Sequence, residues 1–261
     1  MTTPMTPISP TPPPTTDGTT RHLAAGAALA LVYRLVLRQL ASRGRIIGLA
    51  VLAMIAPVSA FALGQSDTAT LKDAVQLVAA VGLALVLPIV SLVFGAAAIG
   101  DLRDDKTLVY LWLRPMDRWP IVVGAAAAAF TVAAPIVLAS TVLAAVLTGA
   151  GNGIVAGTVL ATLVGLVAYI AVFTLFGVWL KRFIVWGLAY VLIWEGFIAQ
   201  AGPGVARVAI RKYTRSILVD RTGVHLEMAD FSLAVGVVVP LVVAVVALAL
   251  AARRLDTQDV D

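Results

Sequence analysis

The stretch from Ile154 to Leu180, IVAGTVLATLVGLVAYIAVFTLFGVWL, runs for 27 residues without an Asp, Glu, Lys or Arg. A helix rises about 1.5 Å per residue, so about 20 apolar residues cross a hydrocarbon core about 30 Å thick, and this segment spans a bilayer with length to spare. It has to be helical. An unpaired backbone group in lipid costs several kcal/mol, only a helix or a closed barrel pairs them all, and barrel strands alternate apolar with polar residues, which this stretch does not.

Working outward, five more stretches share this character: Ile46 to Gly64, Ala74 to Gly100, Pro120 to Leu147, Phe183 to about Ala201, and Phe231 to Ala252. The expected fold is therefore an all-α integral membrane protein with six transmembrane helices. Composition agrees. Of 261 residues, 61% are hydrophobic and 13% charged, and the mean hydropathy is +0.99. A soluble domain is about 45–50% apolar and about 25% charged, which excludes a water-soluble globule. The absence of cysteine excludes a disulfide scaffold, thiol catalysis and Cys-ligated metals.

The flanking pieces set the organisation. Residues 1–20 are dominated by Thr and Pro and are expected to be a disordered tail, residues 21–252 to form the membrane domain, and residues 253–261 a short tail. Ser59-Ala60-Phe61-Ala62 has the small-residue pattern of a cleavage site. It lies far beyond the first 15–30 or so residues that a signal peptide occupies, so the first span is expected to be retained. Lys and Arg collect on one side. With both termini in the cytoplasm, Arg21, Arg34, Arg38, Arg43, Arg45, Arg103, Lys106, Arg114, Arg118, Lys181, Arg182, Arg253 and Arg254 face inward, against Lys72, Arg207, Arg211, Lys212, Arg215 and Arg221 outward. The net charge of +5 is thus membrane topology and calls for no nucleic-acid partner.

Four features stand out against this apolar background. From His22 to Arg45, Ala28, Leu31, Val32, Leu35 and Val36 follow helical spacing, with Arg34 and Arg38 on another face; this is either an amphipathic helix lying on the membrane or an extension of the first span. From Asp101 to Trp119, Asp104 or Asp105 can cap a short helix ended by Pro115, with Arg114 and Arg118 near its end. Its Leu108, Tyr110, Leu111, Trp112 and Leu113 either offer a docking surface or anchor it in the interface. Third, Arg207, Arg211 and Arg215 recur every four residues between the last two spans, forming a basic stripe on an outer helix, re-entrant or on the surface. That stripe either handles anionic substrate or anchors to headgroups. Last, Glu195 is the single carboxylate well inside a span. It has to face other helices or water, with Ser91, Thr131, Ser140, Thr141 and Tyr169 as the polar groups on offer, and serves as a substrate contact, a proton-linked group or a structural hydrogen bond.

The segment from Lys106 to Arg118, KTLVYLWLRPMDR, resembles the cytoplasmic signature of type-2 ATP-binding-cassette transporter permeases. Thr107, Leu108, Leu111, Pro115 and Arg118 fall on the matching positions, and the span layout is similar over nearly the whole chain. Two positions depart: Leu102 stands where the family usually has Glu, with Asp101 adjacent, and Lys106 where it usually has Gly. The resemblance implies a plasma-membrane permease subunit of an exporter, with an N-terminal elbow helix and a cytoplasmic coupling helix. It further implies pairing of two permease chains and two ATPase subunits. Asp101, Asp104, Asp105, Thr107, Leu108, Leu111, Arg114, Pro115 and Arg118 would then meet the ATPase. ATP and Mg would be used by that partner, since this chain has no Gly-rich phosphate loop ending in Gly-Lys-Ser or Gly-Lys-Thr; it is expected to bind no cofactor or metal and to catalyse nothing itself. The competing class is a motor-independent membrane protein, a secondary transporter or an intramembrane enzyme. The enzyme is disfavoured because His22 and His225 lie outside the spans and Glu195 stands alone, and the transporter because no internal repeat is evident.

Overall fold

The computed structural model describes residues 24–104, 117–198, 207–224, 226 and 231–257, and among them it contains helices and no strand. In chain order these are α1 (Ala25–Leu40), α2 (Arg43–Gly64), α3 (Leu71–Asp104), α4 (Trp119–Leu147), α5 (Asn152–Trp179), α6 (Phe183–Glu195), α7 (Ile210–Thr222) and α8 (Leu233–Thr257). Five of them, α2 to α5 and α8, are long and apolar enough to cross a membrane. The stretch expected to be a fifth span is a helix of only 13 residues, α6, about 20 Å long.

The helix ends fall at two levels. At the basal end Arg45 pairs with Asp101, and Leu175 and Trp179 of α5 share a groove with Leu250 and Thr257 of α8. At the distal end Gly64 lies against the carbonyl of Leu147, and Leu63, Thr70 and Thr148 line one cavity. Local chemistry explains the turns. Thr70 and Asp73 form a reciprocal capping box that starts α3, with Thr70 N–H donating to the Asp73 carboxylate at 2.9 Å. The α4–α5 turn passes through Gly149 at φ 68° and Gly151 at φ 90°, backbone angles that a side chain strains against.

Helix α5 is the axis of the bundle, packing against α3, α4, α7 and α8. Burial within the chain covers 61% of the apolar windows of α3 and α5 but 22% of those of α2 and α8, so the latter two are left for lipid or a partner. Apolar surface gains nothing by leaving lipid for another helix, and association has to come from close packing and hydrogen bonds. Both are present. A methyl group built on Gly177 would collide with the backbone carbonyl of Ala96, and one on Gly95 would press on that of Ile170 at 3.1 Å. The hydroxyls of Thr141 on α4 and Thr162 on α5 lie 3.1 Å apart, and Ser140 donates to Ala53 O of α2 at 2.6 Å.

Helix α1 packs along the basal half of α4, from Gly124 to Thr131. It buries Ala28, Val32, Val36 and Leu40, one residue per turn, leaves Arg34 and Arg38 exposed, and joins Tyr33 to Thr131 at 3.1 Å. The stripe expected from spacing is shifted, since Leu35 is exposed and Leu40 takes part.

Substituting Gly177 by Val should lower stability by about 1–3 kcal/mol, because the obstructing atom is backbone and cannot swing aside. A methyl group on Gly48 would meet no neighbouring helix within 4 Å among the described residues, so Ala there should be accepted without loss. Unfolding midpoints in mixed detergent micelles check both.

Candidate functional site

Helices α6 and α7 lie end to end along α5. Helix α6 follows its basal half: Phe183 fills the space over Gly100 of α3, Gly187 faces Leu92, and Tyr190 meets Phe173 and Phe176 edge-on at 6.1 and 5.9 Å. Helix α7 follows the distal half, with Thr214 against Gly165 and Leu218 and Arg221 against Gly157. They meet beside Tyr169, ten residues or about 15 Å from the basal end of α5.

Glu195 sits at that meeting point, 2% exposed. Tyr169 of α5 donates its phenol to Oε2, Tyr190 donates to Oε1 at 3.2 Å, and the backbone of Ile210, the first residue of α7, supplies another hydrogen bond. The charge of Arg211 acts on the carboxylate from the same turn. A helix N-terminus carries about half a positive charge in unpaired amides, so the carboxylate is placed where α7 attracts an anion. The phenols are held in turn by rings: Tyr169 stacks on Phe173 at 5.9 Å.

The local winding of α6 makes this possible. Residues Tyr190–Glu195 form a π-helix, with Gly196 N–H bonded to Val191 O at 3.1 Å. Five residues apart on an α-helix point roughly 140° away from each other at 3.6 residues per turn. The wider π turn, bonding i to i+5, brings Glu195 nearly back over Tyr190.

The basic stripe is placed differently from a purely outer segment. Arg207 precedes α7 in a turn and is exposed, with its carbonyl accepting from Tyr213 at 2.6 Å; Arg211 and Arg215 are half-buried. Lys212 is buried with its Nζ 4.8 Å above the Phe231 ring. Arg211, Lys212 and Arg215 lie on α7 between the level of Tyr169 and the distal end, within the depth of the bundle. Trp194 Nε1 and Arg211 Nε are buried without a hydrogen-bond partner among the described residues, so the break carries donors beyond those that Glu195 uses. Among the described residues no group of three or more His, Cys, Asp or Glu side chains comes together to hold a metal.

A second cluster occupies the basal end. Asp101 is paired with Arg45 at 2.9 Å, and Arg103 donates to Val178 O at 3.0 Å and to Leu180 O, lying 3.8 Å from Asp104. The terminus of α3 is therefore tied to α2 and to the end of α5. Asp104 ends α3, and Arg118 is half-buried where α4 begins. Asp105, Thr107, Leu108, Leu111, Arg114 and Pro115 lie outside the described residues. Sequence reasoning did not single out Arg45, Arg103 or Tyr190. The first two were readable as charges at span ends awaiting an opposite charge or a carbonyl; Tyr190 lay hidden by the π register.

No family model matches this chain, and no curated protein matches it. The coupling across the break can be measured within the chain itself. In a double-mutant cycle of Tyr169→Phe and Glu195→Gln, the two changes should be non-additive by about 0.5–2 kcal/mol of unfolding free energy in micelles, as a shared buried hydrogen bond requires.

Proposed function

We propose that the chain is the permease subunit of an ATP-driven ABC exporter, paired with a second permease chain and driven by separate ATPase subunits at its basal end. The observation that carries this reading is the bracing of α3. The segment resembling the permease signature joins the end of α3 at Asp104 to the start of α4 at Trp119. The α3 end from which it leaves is fixed to α2 through Arg45–Asp101 and to α5 through Arg103. A push on residues 105–116 would reach three spans at once. Helix α1 then serves as the elbow, and α6 with α7 make up the remaining crossing as two half-helices.

Charge supports a cytoplasmic basal end. Arg43, Arg45, Arg103, Arg118, Lys181, Arg182, Arg253 and Arg254 lie there, whereas Lys72 and Arg221 lie at the distal end. Arg211, Lys212 and Arg215, which weaken the bias when counted as outer, belong to the interior depth instead. Charges at that depth do not face lipid, which assigns their side of α7 to a water-filled path or to the second permease chain.

A second reading has its own support. A carboxylate at the N-terminus of a half-helix in mid-bundle is the kind of site that secondary transporters build, and it would serve proton-linked transport without ATP. Co-purification with a Walker-type ATPase separates the two. The Thr107→Ala, Leu111→Ala, Arg118→Ala triple variant should remain folded and drop ATPase stimulation to the level of the ATPase subunit alone. Arg45→Asp should impair stimulation, and adding Asp101→Arg should restore it by reforming the pair. Transport driven by a proton gradient in vesicles holding this chain alone would overturn the proposal.

A further inference from the structure

At the basal end α5 and α8 leave a groove between them of about 280 Å³, lined by Leu175, Trp179, Leu250, Arg253, Arg254 and Thr257. Its walls are apolar, and its large residues remain open within the chain: Trp179 is 59% exposed and Leu250 49%. Arg253 and Arg254 line it chiefly through their aliphatic stems, which leaves their guanidinium groups beyond the apolar walls. Neither Arg253 nor Arg254 forms an ion pair among the described residues, and Asp256, the nearest acid along the helix, does not line the groove. The next turn of chain adds exposed Lys181 and Arg182 at the same level.

The groove joins two environments. Helix α8 is mostly uncovered by the rest of the chain, so the Leu175–Leu250 end of the groove opens on the acyl region, while the last turn of α8 carries its arginines to headgroup level. Tryptophan favours that boundary, its ring among acyl chains and its N–H toward water. Arginine bonds phosphate oxygens through two N–H groups at once and keeps its charge at any physiological pH. An apolar slot ending in paired arginines at the interface complements one ligand chemistry: an acyl chain bearing an anionic phosphate head.

We infer that this groove is a binding site for an anionic phospholipid, its phosphate held by Arg253 and Arg254 and one acyl chain laid along Leu175, Trp179 and Leu250. The site is independent of the ATP-driven reading, since it rests on α5 and α8 alone. A neutral phospholipid would fill the slot equally well but lack the net charge that the arginine pair selects.

Tryptophan quenching by brominated lipid tests it. The full chain is reconstituted in phosphatidylcholine vesicles containing a minor fraction of either brominated phosphatidylglycerol or brominated phosphatidylcholine. Brominated phosphatidylglycerol should quench more at equal fraction, with an apparent selectivity of up to roughly thirtyfold for two interfacial cations. Trp179→Phe should remove the excess quenching, and Arg253→Gln with Arg254→Gln should make the two lipids equal while Trp179 is still quenched. Equal quenching in the native chain, or an excess that survives the arginine changes, would overturn the inference. Quenching of Trp179 by neither lipid would also overturn it, by showing that protein covers the groove.

Discussion

A carboxylate carried into a bilayer cannot rely on water to solvate it. Glu195 meets that constraint with two phenols, a backbone bond from the first residue of α7 and the charge of Arg211. Those groups come from three helices, so satisfying one side chain fixes the meeting of α6 with α7 and the position of both along α5. The half-helix N-terminus needs an anion as much as the carboxylate needs donors. Each removes a cost that the other would bear alone in lipid.

The same dependence on short-range contact runs through the rest of the bundle. Because lipid competes evenly with side chains for apolar surface, α3 and α5 are joined where Gly95, Ala96 and Gly177 let backbones meet, and the hydroxyls of Ser140, Thr141 and Thr174 reach across to neighbouring helices. Ends are treated differently from middles. At the basal end, where water returns, the ties become charged: Arg45 with Asp101, and Arg103 with the last carbonyls of α5.

Four spans and the last one were legible because charge is absent from them, and that signal depends on nothing but composition. Helix α7 was legible as a helix from its four-residue basic spacing, but its packing along α5 was not, because a hydropathy window rejects Ile210–Thr222 for its Arg211, Lys212, Arg215, Asp220 and Arg221. Yet Ile210, Tyr213, Thr214, Ile217 and Leu218 recur at helical spacing and form the buried face against α5. The basic spacing left a re-entrant and a surface helix both open, and the apolar face between the basic residues is what the packing uses. Glu195 was visible as an anomaly and Tyr169 as one of several polar groups, but their pairing across 26 residues of chain depends on helix packing and the π turn, which leave no periodic trace.

Helix α3 carries its own departure from α-helical winding, the π segment Val78–Val86, between the capped distal start and the braced basal end. A π turn holds an additional residue per turn without lengthening the helix in proportion, so it sets the rotational phase of everything beyond it. Removing one residue from the α-wound stretch between Leu87 and Asp101 would turn Asp101 and Arg103 by roughly 100° at 3.6 residues per turn, away from Arg45 and the α5 terminus. The basal bracing thus fixes the number of residues in the α-wound part of α3, while the π segment about 30 Å away is the stretch where a change of length can be taken up.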